Sequence, residues 1–108
     1  MKDATNIIMF TDLTIAKAEK FVRELSEDSS KVFFSSHSKK RMRERKISTT
    51  QVFRCLQAGR LVDNPFRETN GSWNVKLSVM SAGALIRAVA ALDYEPETGN
   101  YIIIVTVF

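Results

Sequence analysis

The chain is poor in several residue types that carry specialised chemistry. Its 108 residues include one cysteine, one histidine, one tryptophan, two prolines and four glycines. A lone Cys55 excludes an internal disulfide framework and any multi-cysteine zinc site. The single histidine, His37, and acidic residues that form no cluster in sequence supply no metal-ligand set, so no metal and no cofactor is expected. No apolar run approaches the roughly 18 residues of a membrane span, the longest being 101–108, so no membrane partner is expected. At the N-terminus only four apolar residues, Ile7, Ile8, Met9 and Phe10, stand together, too few for a signal peptide. The expectation is a cytoplasmic protein. Neither repeats nor low-complexity tracts are present, and 44% hydrophobic with 26% charged residues is the make-up of one globular domain. A chain of this size buries about 65% of its unfolded surface, enough for a core without staples.

What the chain does have is localised charge. The net charge is +4. Eight of the 16 lysines and arginines lie in 37–60, against Glu44 alone of the 12 acidic residues. That segment therefore carries +7 and the remainder −3. A concentrated positive charge attracts polyanions, and nucleic acid is the first candidate.

Periodicity lays out the elements. Ile15, Ala18, Phe21, Val22 and Leu25 recur at helical spacing, with Asp12 or Thr14 as the cap. The segment 31–35 is short, aromatic and β-branched, and reads as a strand. Ser35 or Ser36 can cap a basic helix over 37–46, held by packing through Met42 and Ile47. Ser48 and Gln51 have the form of a capping box, flanked by Ile47 and Val52 as a hydrophobic staple, and Gly59 marks the end of the helix that follows. Beyond it the period becomes two. Strands are expected over 61–68, irregular or at an edge because of Pro65, then over 73–79, 84–94 and 101–108. Asn70-Gly71 is a hairpin turn signal. The last strand is apolar on both faces except at Thr106, as in a central strand covered on both sides. The expected fold is α+β, N-terminal helices packed on a curved antiparallel sheet of four to five strands.

Residues four apart on a helix share a face, so His37, Arg41 and Arg45 form one row with Lys40 and Glu44 beside it. That row has the parts for cutting a phosphodiester. An imidazole can take a proton from a ribose 2′-OH or give one to the leaving oxygen, and arginines can hold the phosphate as charge develops on it. Lys39, Lys40, Arg43 and Lys46 add nucleic-acid contacts. Plainer readings stand beside these: a charged helix face is often simply solvated, a histidine after a serine cap often only starts a helix, and Thr106 is an ordinary β-former. Arg87, amid Leu85, Ile86, Ala88 and Val89, either snorkels to a rim or points into a polar cleft. Trp73 and Cys55 read as core. Phe66 reads as core or as an exposed base-stacking platform.

The run Phe34-Ser35-Ser36-His37-Ser38-Lys39-Lys40-Arg41-Met42-Arg43-Glu44-Arg45-Lys46-Ile47-Ser48 resembles the opening motif of a widespread bacterial domain family. That family is placed in the RelE/ParE-like toxin superfamily and is similar to the BrnT-type toxins. Ile104-Val105-Thr106-Val107-Phe108 resembles its closing strand, with phenylalanine where a tyrosine often stands. The resemblance covers 32–108, which divides the chain into an N-terminal extension with one helix (1–30) and a RelE-like domain (31–108). It implies a RelE-like fold, metal-independent RNA cleavage, often of ribosome-bound mRNA, and inhibition by a cognate antitoxin protein. His37, Arg41 and Arg45 match the motif's polar row, and Thr106 its last-strand hydroxyl. Arg87 is added from its placement alone.

The leading expectation is a toxin-type endoribonuclease with His37, Arg41, Arg45 and Thr106 in the catalytic site. Two alternatives remain open. One is a non-catalytic module that binds nucleic acid or an acidic protein through the same helix. The other is a toxin acting on a protein target such as a topoisomerase, since a fold alone does not fix an activity.

Overall fold

A computed structural model describes residues 13–108. Asp12 and the apolar residues 7–10 lie outside the described residues. Helix α1 (Ile15–Ser26) is capped by Thr14, whose Oγ1 accepts from the Lys17 N–H at 3.2 Å. Ala18 and Val22 are fully buried, Phe21 and Leu25 are half-buried, and Ile15 at the start of the stripe is exposed. A single 3₁₀ turn at Ser29–Lys31 leads into strand β1 (Val32–Phe34). Two helices follow, α2 (Ser36–Arg45) and α3 (Thr49–Ala58). The capping box at Ser48 is present in full: the Gln51 N–H donates to Ser48 Oγ at 3.1 Å, and the Ser48 N–H donates to Gln51 Oε1 at 2.9 Å.

Five strands complete the chain: β2 (Arg60–Leu61), β3 (Phe66–Arg67), β4 (Trp73–Ser81), β5 (Ala84–Glu95) and β6 (Gly99–Val107). Among the described residues the sheet has six strands in the order β1-β6-β5-β4-β2, with β3 pairing β4. The α+β class is as expected, but the sheet is mixed rather than antiparallel and larger than four to five strands. β1 runs parallel to β6, Phe33 facing Ile103, because α2 and α3 stand between β1 and the meander. The strand expected over 61–68 is two fragments on either side of Pro65, both paired to β4. Proline supplies no N–H to a ladder, so pairing stops there.

The three helices of the described residues cover one face of the sheet. Val75 and Leu77 of β4, Ala88 and Ala90 of β5, and Ile102 and Ile104 of β6 turn to that face and are buried with Val52, Cys55 and Leu56 of α3. α1 packs on α3 through polar clamps as well as apolar contact. Arg23 donates from Nε to the Gln57 carbonyl (3.1 Å) and from a terminal guanidinium nitrogen to the Gly59 carbonyl (3.3 Å), satisfying carbonyls at the end of α3. Glu19, buried on the same helix, accepts from the Leu61 N–H at 2.9 Å and from Arg60 Nε at 3.3 Å. Burial pushes its carboxyl up. The Leu61 N–H, then Arg60, then Arg23 outweigh that and leave it below the usual carboxylate value.

Among the described residues no helix lies on the second face of the sheet. β6 is an interior strand, between β1 and β5, but among the described residues it is covered by helices on one side only: Tyr101 and Ile103 are half-buried, and Val105 is exposed. Phe66 is 63% exposed, which takes it out of the core, whereas Trp73 and Cys55 are buried. Burial pushes the Cys55 thiol up to about 11, which holds it as an inert neutral group.

Candidate functional site

The site begins where β1 hands over to α2. Ser35 is in extended conformation, its Oγ accepts from the Ser38 N–H at 3.0 Å, and the helix starts at the next residue. Ser38 is fully buried and returns a hydrogen bond from its Oγ to the Ser35 carbonyl at 2.7 Å. With Met42 one turn on, it forms the packed side of a helix otherwise made of charge. Lys46 closes α2 in the left-handed region (φ 55°), and the Lys46 and Ile47 N–H groups bond back to the Arg43 and Met42 carbonyls.

Ser35 also ties the helix to β6. Its N–H donates to the Ile104 carbonyl at 3.1 Å, and its Oγ to the Val105 carbonyl at 3.0 Å. Val105 is the extra residue of a β-bulge: Ala90 pairs with Ile104 and Val89 with Thr106, leaving Val105 unmatched. The bulge breaks the alternation of β6. Ile104 and Val107 face the core, while Val105 and Thr106 both turn away from it. The start of α2 and the Thr106 hydroxyl are thereby mounted on adjacent residues of one strand.

His37 is exposed and has no hydrogen-bond partner among the described residues. Arg41, with 29% of its side chain exposed, lies at the margin of the packed face, 3.6 Å from Glu44. Arg45 is exposed, as are Lys39, Lys40, Arg43 and Lys46, which spread around the outer arc of the helix rather than along the His37 row. The first turn of α2 contains no acidic residue. Among the described residues Glu44 is the only ion-pair partner of this row of cations, and a helix start with unbonded N–H groups beside such a row suits a phosphate. Among the described residues no hydrogen bond or ion pair joins His37, Arg41 or Arg45 to Thr106. Their association rests on the Ser35 link.

Arg87 sits on the sheet face turned away from the three described helices. It exchanges backbone hydrogen bonds with Phe108 at 2.9 Å in both directions, and its guanidinium lies 5.9 Å from the centre of the Phe108 ring. Val89, two residues on, pairs with Thr106, so Arg87 and Thr106 are diagonal neighbours on one face. Sequence reasoning missed the aromatic wall beside this region. Phe33 and Tyr101 meet edge-on at 5.7 Å and, with Phe34, Ser35, Glu95 and Ile103, line a depression of about 460 Å³. Only the parallel β1–β6 pairing brings those residues together, and no local pattern signals it. Among the described residues, no group of three or more His, Cys, Asp or Glu side chains is placed to hold a metal ion, and no helix is long and apolar enough to cross a membrane.

The fold and site define a small α+β domain in which a basic helix is pinned by its capping serine to a bulge in an interior strand. The chain belongs to the family described as Domain of unknown function (DUF4258), which matches residues 34–108. The match runs from the end of β1 through β6 and leaves α1 outside it. No curated protein and no solved structure matches the chain.

Proposed function

We propose that the protein is a metal-independent endoribonuclease of the toxin type with a RelE-like fold, acting at the α2–β6 junction. The observation that carries this reading is the double hydrogen bond from Ser35 to β6, which fixes the start of the cationic helix beside Thr106. A scissile phosphate seated on the first turn of α2 meets free N–H groups and the Arg41 guanidinium, while Arg45, two turns along the same row, holds the neighbouring phosphate. His37 takes the proton from the ribose 2′-OH as that oxygen attacks phosphorus. The bond to the 5′-oxygen breaks, and the leaving oxygen recovers a proton from the imidazolium. The products end in a cyclic phosphate and a 5′-hydroxyl. Thr106 positions the substrate strand. Lys39, Lys40, Arg43, Lys46 and Arg87 hold flanking phosphates, and a cognate antitoxin with an acidic segment would cover the same helix.

The test is incubation of the purified protein with total RNA and with ribosome-bound mRNA in EDTA, alongside His37→Ala. Wild type should release fragments with cyclic-phosphate ends, and His37→Ala should cleave at least about 100-fold more slowly while still binding RNA. Normal cleavage by the variant overturns the mechanism. Intact RNA under both conditions, with binding that weakens in salt, favours the alternative of a non-catalytic module using the same basic arc.

A further inference from the structure

The aromatic depression next to the basic helix takes no part in the cleavage step, and its lining is of a different chemical kind. Its volume of about 460 Å³ is that of a small-ligand site, with Phe33, Ser35, Glu95, Thr98, Tyr101 and Ile103 among the lining residues. We propose, building on the nuclease reading, that this depression receives the base next to the scissile phosphate and selects guanine.

Position is the first argument. Ser35 belongs to both features: it lines the depression and it caps α2, with His37 two residues further on. Ile103 of the lining stands two residues before Val105, whose carbonyl holds the Ser35 hydroxyl. A nucleoside attached to a phosphate on the first turn of α2 therefore lies next to the depression. Shape is the second argument. Phe33 is 52% exposed, and its ring stands at 86° to that of Tyr101. A flat base that stacks on one of these rings meets the other with its edge. Every base has a π-face, so such stacking supplies affinity without choosing among bases.

The choice falls to Glu95, the one charged side chain of the lining among the described residues. It ends β5 opposite Gly99, and no ion pair engages it among the described residues. Asp93, one step back on the same face, is occupied: it accepts from the Tyr94 N–H at 2.8 Å and faces Tyr101 across the ladder. An ionised carboxylate offers two acceptors side by side and no donor. Guanine alone among the four bases presents two adjacent donors on its pairing edge, the ring N1–H and the 2-amino group. Adenine and cytosine set a ring acceptor beside their amino group, and uracil sets carbonyls on both sides of its N–H, so each would aim an oxygen or nitrogen lone pair at the second carboxylate oxygen. Burial, then Asp93, then Glu95 push the Tyr101 phenol up, so that wall stays neutral. Lys31, whose Nζ donates to the Thr98 carbonyl at 3.2 Å, places a cation beside the depression and offsets the repulsion between Glu95 and an RNA backbone.

The experiment is a ¹⁵N NMR titration of the full chain with 2′-O-methyl trinucleotides of sequence UGU, UAU, UCU and UUU, which lack the 2′-OH and are not cut. UGU should bind about tenfold more tightly than the other three, with saturable shifts at the Phe33, Thr98 and Tyr101 amides. Inosine in place of guanine, which removes the 2-amino group alone, should lose most of that preference. Glu95→Gln, a change at an exposed position, should bring UGU to the level of UAU while leaving UAU unchanged. Phe33→Ala should weaken all four by about tenfold. Equal affinity for the four sequences, no saturable binding, or a guanine preference that survives Glu95→Gln overturns the proposal. Its failure is distinct from that of the nuclease reading. Cleavage of RNA by a protein without guanine preference refutes the base site alone, and guanine preference in a protein that leaves RNA intact refutes the nuclease alone.

Discussion

Gly59 offers the sharpest test of how α3 is seated on the sheet. Its backbone is ordinary and extended (φ −73°, ψ 164°), so it is not retained for left-handed geometry. A Cβ at this position would stand 2.3 Å from the Cys55 carbonyl oxygen and 2.9 Å from that of Ser78. The first overlap is about 1 Å relative to ordinary contact, and both obstacles are backbone, so no rotamer change relieves them. Relief requires residue 59 to move off the last turn of α3, which breaks the 2.9 Å hydrogen bond from its N–H to Cys55 and loosens the Arg23 clamp on its carbonyl. One lost helix-end hydrogen bond at about 1 kcal/mol and overpacking at about 2 kcal/mol give about 3 kcal/mol for Gly59→Ala. Urea denaturation should show it as a midpoint lower by roughly 1.5 M at a slope of about 2 kcal/mol/M, and thermal melting as a Tm lower by at least about 12 °C. Gly71→Ala is the control: nothing lies within 4 Å of its Cβ, and only the strain of φ +95° applies, costing about 1–2 kcal/mol. A Gly59→Ala protein within about 1 kcal/mol of wild type refutes the close-approach argument.

Other expectations follow from the same contacts. Glu19 has a depressed carboxyl value in the folded chain, so its contribution to stability is present above the ordinary value of 4.5 and lost as pH falls through the folded value. Glu19→Gln should therefore destabilise by about 1 kcal/mol at pH 7, and the gap from wild type should close in acid urea titrations; a gap that widens below pH 4.5 contradicts the sign. Ala82, at φ 52° beside Gly83 at φ 80°, occupies a turn that favours Asn-Gly, and Ala82→Asn should raise stability by about 0.5–1 kcal/mol. Lys46→Gly relieves the same strain at φ 55° and should stabilise by a similar amount. Under the nuclease reading it should also flatten the salt dependence of RNA binding by about 0.7 in log–log slope.

What was legible in the sequence was local. Thr14, Ser35 and Ser48 cap the helices they were expected to cap or border, because a serine or threonine followed by a helical apolar stripe satisfies orphan N–H groups whatever lies elsewhere in the fold. The His37–Arg41–Arg45 row was legible for the same reason: one helix fixes it. The union of that row with Thr106 was not, since it depends on Ser35 meeting residues about 70 positions away and on a bulge that leaves no mark in composition. The parallel partner of β6 and the placing of all three described helices on one face were hidden likewise. An apolar run such as 101–108 states how hydrophobic a strand is, not which neighbours cover each side. Gly59 marks a helix end in the sequence and in the fold, but the need for glycine there lies partly in a contact with β4 that only the packed sheet contains.

The position of β6 has a consequence for how the chain is made. Of the elements described it leaves the ribosome last, yet it lies inside the sheet, paired to β5 on one side and to β1 on the other. Until it emerges, β1 has no strand to lie beside, Ser35 has no carbonyl to bind, and α2 is a highly charged helix with almost no packing. The longest-range pairing is thus also the final one, and such pairings form slowly because the chain must close a large loop before any contact rewards it. A growing chain would expose its basic helix and half-built core throughout synthesis, a window in which any partner that recognises the helix could engage it before the fold is complete.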